Sequence, residues 1–88
     1  MDADPLMVER TGHCHLNLIT DGSNNSGVLF SDATRAMVSI YYMRMNDSMN
    51  FNTGGGLRVT IDARGDVGVG TSSPGYKLDV NGDISHSW

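Results

Sequence analysis

Turn-forming residues cut this chain into pieces too short for helices. From residue 21 onward, clusters at 21–27, 31–35, 46–48, 54–56, 64–66, 71–75 and 81–82 follow one another closely. Gly, Asn, Asp and Ser supply 36 of the 88 residues, and each favours turns for its own backbone reason. Val, Ile and Thr add 17 more, and their stiff, β-branched side chains suit strands. With four Ala, one Lys and one Glu, strong helix formers are nearly missing. The pattern predicts an all-β chain of short strands and tight turns.

Seven extended runs lie between and before these clusters: residues 13–19, 28–30, 37–44, 49–53, 57–62, 67–70 and 76–80. Residues 37–44 are largely apolar on both alternating sets, which predicts a central strand with protein on both faces. In 49–53, Met49 and Phe51 share one face and Asn50 and Asn52 the other. In 57–62, Leu57, Val59 and Ile61 are expected inward, with Arg58, Thr60 and Asp62 toward water. Residues 1–12, which contain Pro5, read as an N-terminal arm or linker. Residues 13–84 read as the β-rich domain, and residues 85–88 as the start of a following segment.

Size adds a second constraint. A chain of 88 residues buries only about 60% of the surface its unfolded form exposes. The single cysteine, Cys14, excludes an internal disulfide and a four-thiolate zinc site. Self-association is the remaining route to a sufficient interior. The net charge of −4 and five scattered arginines argue against a nucleic-acid partner. The longest apolar stretch, residues 36–43, is far short of the roughly 20 residues a bilayer span needs. The acidic start, Met1-Asp2-Ala3-Asp4-Pro5, does not read as a signal peptide.

One segment is specific. Gly65-Asp66-Val67-Gly68-Val69-Gly70-Thr71-Ser72-Ser73-Pro74-Gly75-Tyr76-Lys77-Leu78-Asp79-Val80-Asn81-Gly82 closely resembles a module of bacteriophage tail fibres. That module often sits just ahead of a C-terminal intramolecular chaperone domain. Residues 27–32, 49–55 and 57–62 are similar to its usual order of strands, so the resemblance covers about residues 16–84. It implies an intertwined, elongated homotrimer, a triple-stranded β-prism or β-helix-like assembly, acting as a shaft or connector between virion and distal host-binding region. The implied partners are two further copies, other virion tail proteins and a host cell-surface glycan, and the implied location is the virion. Glycine-spaced valines such as Val67 and Val69 would let three backbones approach an axis closely. Leu57, Val59, Ile61, Val67, Val69, Leu78 and Val80 are the expected interior of such a trimer. Ser85-His86-Ser87-Trp88 stops before any chaperone domain, so no self-cleavage is assigned to these residues.

No catalytic residue and no cofactor are expected. His13 and His15 alternate on one side of an extended run, and on a trimer axis six imidazoles could surround a transition metal. The plainer reading, two polar residues opening a strand, is preferred. Cys14 points to the opposite side and lacks a positioned base. Arg64-Gly65-Asp66 spells an integrin-recognition tripeptide but occupies a turn position. Asn24-Asn25-Ser26 and Asn46-Asp47-Ser48 fit glycosylation sequons and likewise read as turns. Gly68 and Gly70, with Ser73 where a third glycine would fall, fail the dinucleotide pattern. Tyr41, Tyr42 and Trp88 could stack a sugar, which gives the alternative function of a receptor- or carbohydrate-binding β module at a fibre tip; core or interface positions are expected instead.

Overall fold

The computed structural model describes residues 6–33 and 36–85. Six strands appear in chain order: β1 (Ser26–Ser31), β2 (Ala36–Met43), β3 (Ser48–Thr53), β4 (Gly56–Ile61), β5 (Val67–Val69) and β6 (Leu78–Val80). They form one sheet whose spatial order repeats the chain order. The first five strands make an antiparallel meander, and β6 lies parallel to β5. Among the described residues there is no helix, and so none long and apolar enough to cross a membrane.

Six of the seven expected runs become strands. Residues 13–19 do not: they lie outside every strand and are exposed throughout. A strand exists only through a partner, and among the described residues none pairs with them. Residues 6–12 of the expected arm also form no strand, while residues 1–5 and 86–88 lie outside the described part.

Turn chemistry explains the meander. Between Thr53 and Gly56, Gly54 and Gly55 both have positive φ, 58° and 80°, which is the two-residue hairpin geometry that matches strand twist. The β2–β3 loop ends at Asp47, a non-glycine residue with φ 55°, a conformation Asp tolerates. The Tyr42 hydroxyl donates to the Asp47 carboxylate. That hydrogen bond, followed by loss of water and the Asp47 charge, raises the Tyr42 pKa.

A parallel partner needs a crossover, and residues 70–77 supply it between β5 and β6. The crossover folds over one face of the sheet at Gly68. A Cβ at Gly68 would lie 2.5 Å from the Thr71 carbonyl oxygen and 3.4 Å from the Pro74 Cβ. Pro74 itself is buried. Backbone bonds pin the ends: Val67 N–H to Lys77 C=O at 2.9 Å, Gly70 N–H to Arg58 C=O at 2.8 Å, and Asn81 N–H to Val69 C=O at 2.9 Å.

The face under this crossover is polar. Asn50 pairs with Thr60, and Thr60 with Gly68. Ser48, Asn50 and Thr60 are 1%, 2% and 1% exposed, and they are the largest fully buried side chains among the described residues. Their polar atoms form a chain: Thr60 Oγ1 donates to Asn50 Oδ1 at 2.8 Å, Asn50 Nδ2 to Ser48 Oγ at 2.9 Å, and Ser48 Oγ to Asn46 Oδ1 at 2.7 Å. Thr60, expected toward water, is therefore interior. Thr60 does alternate with Val59 and Ile61, but its face is the one that carries Asn50 and the crossover. A bulge shifts only the start of β4, where Asn52 opposes Leu57 and Arg58 is the extra residue.

Because a Cβ at Gly68 would meet backbone rather than a movable side chain, Gly68→Ala is expected to lower stability by about 1–3 kcal/mol. Chemical denaturation with an unchanged m-value checks this. Gly55→Ala should give a comparable loss through its positive φ alone.

Candidate assembly face

Register assembles the opposite face. Val28, Ile40, Phe51, Val59, Val69 and Val80 are consecutive cross-strand partners and run in one row through all six strands. A second row beside it holds Tyr42, Met49, Ile61, Val67 and Leu78. Neither row contains a charged side chain. At about 4.8 Å per strand, the six-residue row crosses roughly 24 Å.

Nothing among the described residues buries this face. Among the described residues no hydrophobic side chain is buried. Phe30 is 54% exposed and Leu78 60%, with Val28, Ile40, Met49, Ile61 and Val69 also exposed. Single exposed apolar residues are ordinary, but a contiguous uncharged patch marks a surface that meets something else. Fully covering a Val, Leu, Ile or Phe side chain gains about 1.5–3 kcal/mol over leaving it in water.

Six of the seven residues expected inside a trimer, namely Val59, Ile61, Val67, Val69, Leu78 and Val80, stand in these two rows. Leu57 does not, because the bulge at Arg58 sets it opposite Asn52. The sequence reading missed the buried Ser48–Asn50–Thr60 chain. Its available signal was two asparagines inside a strand, a residue type that strands disfavour without a specific partner.

The charged groups collect in the turns. Asp62 organises the β4–β5 turn: its Oδ1 accepts the Arg64 and Asp66 amides, each at 3.0 Å, and the Gly65 amide bonds its carbonyl at 2.9 Å. Burial pushes the Asp62 carboxyl up, but the Asp66 and Arg64 amides and the Arg64 guanidinium together hold it below the ordinary carboxylate value. Asp66 is buried at 9% exposure, between Arg64 at 3.4 Å and Lys77 at 3.6 Å. Arg64-Gly65-Asp66 thus forms an internally paired turn, with Asp66 buried and Arg64 largely exposed.

Other candidate residues are dispersed. His13, Cys14 and His15 are exposed and outside any strand. Among the described residues, no three His, Cys, Asp or Glu side chains gather into a group able to hold a metal. Tyr41 and Tyr42 point to opposite faces, and Trp88 lies outside the described residues, so the three make no common platform. Tyr41 alone lines a cavity of about 330 Å³ on the polar face, with Leu29, Ser39 and Asn52. Gly27 makes the Tyr41 position possible, since a Cβ there would fall 2.4 Å from the Tyr41 Cβ. No known protein family matches the sequence, and no curated protein matches it as a relative.

The lowered Asp62 pKa has a pH consequence. Its contribution to the turn is complete above the unfolded carboxylate value of about 3.9 and is lost as pH falls through the lower folded value. Amide-exchange protection at Arg64 and Asp66 is expected to drop across that acid window. Asp62→Ala should remove roughly tenfold protection at neutral pH, as losing a hydrogen bond to a charged acceptor does. The variant should then show no further acid loss.

Proposed function

We propose that this chain is a structural segment of a bacteriophage tail fibre, in which three copies close their apolar sheet faces against one another about a common axis. The observation that carries the reading is the uncharged row from Val28 to Val80, set on a chain whose described residues bury no hydrophobic side chain. A face of that kind supports association. The number three and the virion setting rest on the resemblance of residues 65–82 to the tail-fibre module.

The role is mechanical. A trimeric shaft transmits position between the virion and a distal host-binding region, and three equivalent chains multiply weak contacts through avidity. It needs no catalytic step and no cofactor. Its partners are two copies of itself and neighbouring tail proteins.

A second reading is favoured by the Tyr41 cavity. No charged residue lines it, its volume is at the small end of ligand sites, and an aromatic wall beside Ser39 and Asn52 suits a neutral sugar ring. Saturable glycan binding that Tyr41→Ala abolishes would support a carbohydrate-binding module at a fibre tip.

Sedimentation equilibrium is expected to give about three times the 9.5 kDa chain mass, maintained on dilution. A stable monomer overturns association, and a stable dimer overturns the trimer. Val59→Asp, at the middle of the row, should dissociate the assembly, because a buried unpaired carboxylate is far more costly than the valine contact it replaces.

A further inference from the structure

Residues 13–19 alternate as a strand does, yet the chain leaves them without one. Leu16, Leu18 and Ile19 are 63%, 45% and 78% exposed. Beside them the sheet ends at β1, six residues long, whose outer edge is open in the order β1 to β6. The other edge, β6, has three residues. A seven-residue run spans about 23 Å when extended and β1 about 20 Å, so β1 is the edge that fits it.

The turn between the two is built as a separate unit. The Ser23 amide and the Asn24 Nδ2 both bond Asp21 Oδ1, at 2.9 and 3.1 Å. Thr20 Oγ1 donates to the Asn24 carbonyl at 2.9 Å, and Asn25 Oδ1 accepts the Arg44 amide at 2.8 Å. These bonds anchor the start of β1 while the preceding run stays off the β1 edge of its own sheet. An open strand edge and an unpaired strand-like run in one chain are complementary between copies.

We infer that residues 13–19 of each chain add as an extra strand to the β1 edge of a neighbouring copy. The inference rests on the proposed assembly and names the contact that interlocks it. Three head-to-tail additions of this kind close a ring. Alternation then sets Leu16 and Leu18, with Cys14, beside Val28 and Phe30 on the apolar face. His13, His15, Asn17 and Ile19 fall on the polar face, away from the axis. Main-chain bonding along the edge supplies affinity, and the alternate leucines supply register.

The native cysteine is the probe. In the full chain at a concentration where sedimentation shows the assembly, Cys14 is expected to react with a maleimide at least tenfold more slowly than in denaturant. Three variants, Ser26→Cys, Val28→Cys and Phe30→Cys, place a second thiol along the same face of β1. At least one should oxidise to a covalent oligomer on a denaturing gel, joining Cys14 of one chain to β1 of another. Full Cys14 reactivity in an intact assembly overturns the inference and leaves the assembly standing. An intrachain disulfide, or no interchain product from any of the three, overturns it as well. A monomer at all concentrations removes the assembly and this contact together. Leu16→Asp with Leu18→Asp should restore Cys14 reactivity.

Discussion

A single sheet has two faces, and the described residues of this chain cover only part of one. The covered part is the polar one. The crossover after β5 folds back over Gly68, beside the chain of hydrogen bonds from Thr60 to Asn46. The usual arrangement is inverted: the fully buried side chains are Ser48, Asn50 and Thr60, while valines, isoleucines and a phenylalanine face outward. Burying these polar groups is tolerable because each finds a partner within the chain. Among the described residues the apolar side has no such internal solution, and that asymmetry is what the proposed assembly would resolve.

The polar chain also bears on register. Val28, Ile40, Phe51, Val59, Val69 and Val80 are similar enough that a slipped pairing would still set apolar beside apolar along much of a strand. A slip of two residues between β3 and β4, however, would keep the faces but set Asn50 opposite Arg58 or Asp62 and separate its Oδ1 from Thr60. An unpaired buried amide costs about 1–3 kcal/mol, which is large against the stability of a small domain. The asparagines of β3 therefore discriminate between registers that the row of aliphatic side chains tolerates.

Much of the fold was legible from local chemistry, and what failed was non-local. The strands after residue 27 could be read because turn residues bound them: Gly54 and Gly55, Asp62 with Gly65, and Pro74-Gly75 each favour a chain reversal on their own. The apolar face could be read from alternation in β3 and β5. The bulge at Arg58 could not, because it depends on how β4 meets β3, and with it went the assignment of Leu57; Thr60 was misplaced because the crossover that covers its face is equally non-local. The run at 13–19 carries strand propensity without a partner, and propensity alone does not make a strand. Of the candidate sites, the segment at 64–66 was legible as a turn. The separation of Tyr41 from Tyr42 onto opposite faces was implicit in their adjacency, since neighbouring strand residues cannot share a face.

The distribution of charge completes the division of labour between the two faces. Asp62, Arg64, Asp66 and Lys77 sit in the turn and crossover at one end of β5 and β6, where their ion pairs at 3.3–3.6 Å tie loop to loop. Arg64 and Lys77 are largely exposed, so these pairs contribute little to global stability on their own. Their effect is positional. By satisfying the carboxylates of the β4–β5 turn locally, they keep charge off Val67, Val69, Leu78 and Val80, which lie only a few residues away. A charge displaced onto that face would have to lose its water when the face is covered, a cost far above one lost valine contact. The same residues that fix the turn thus keep their own charges off the neighbouring valines and leucine.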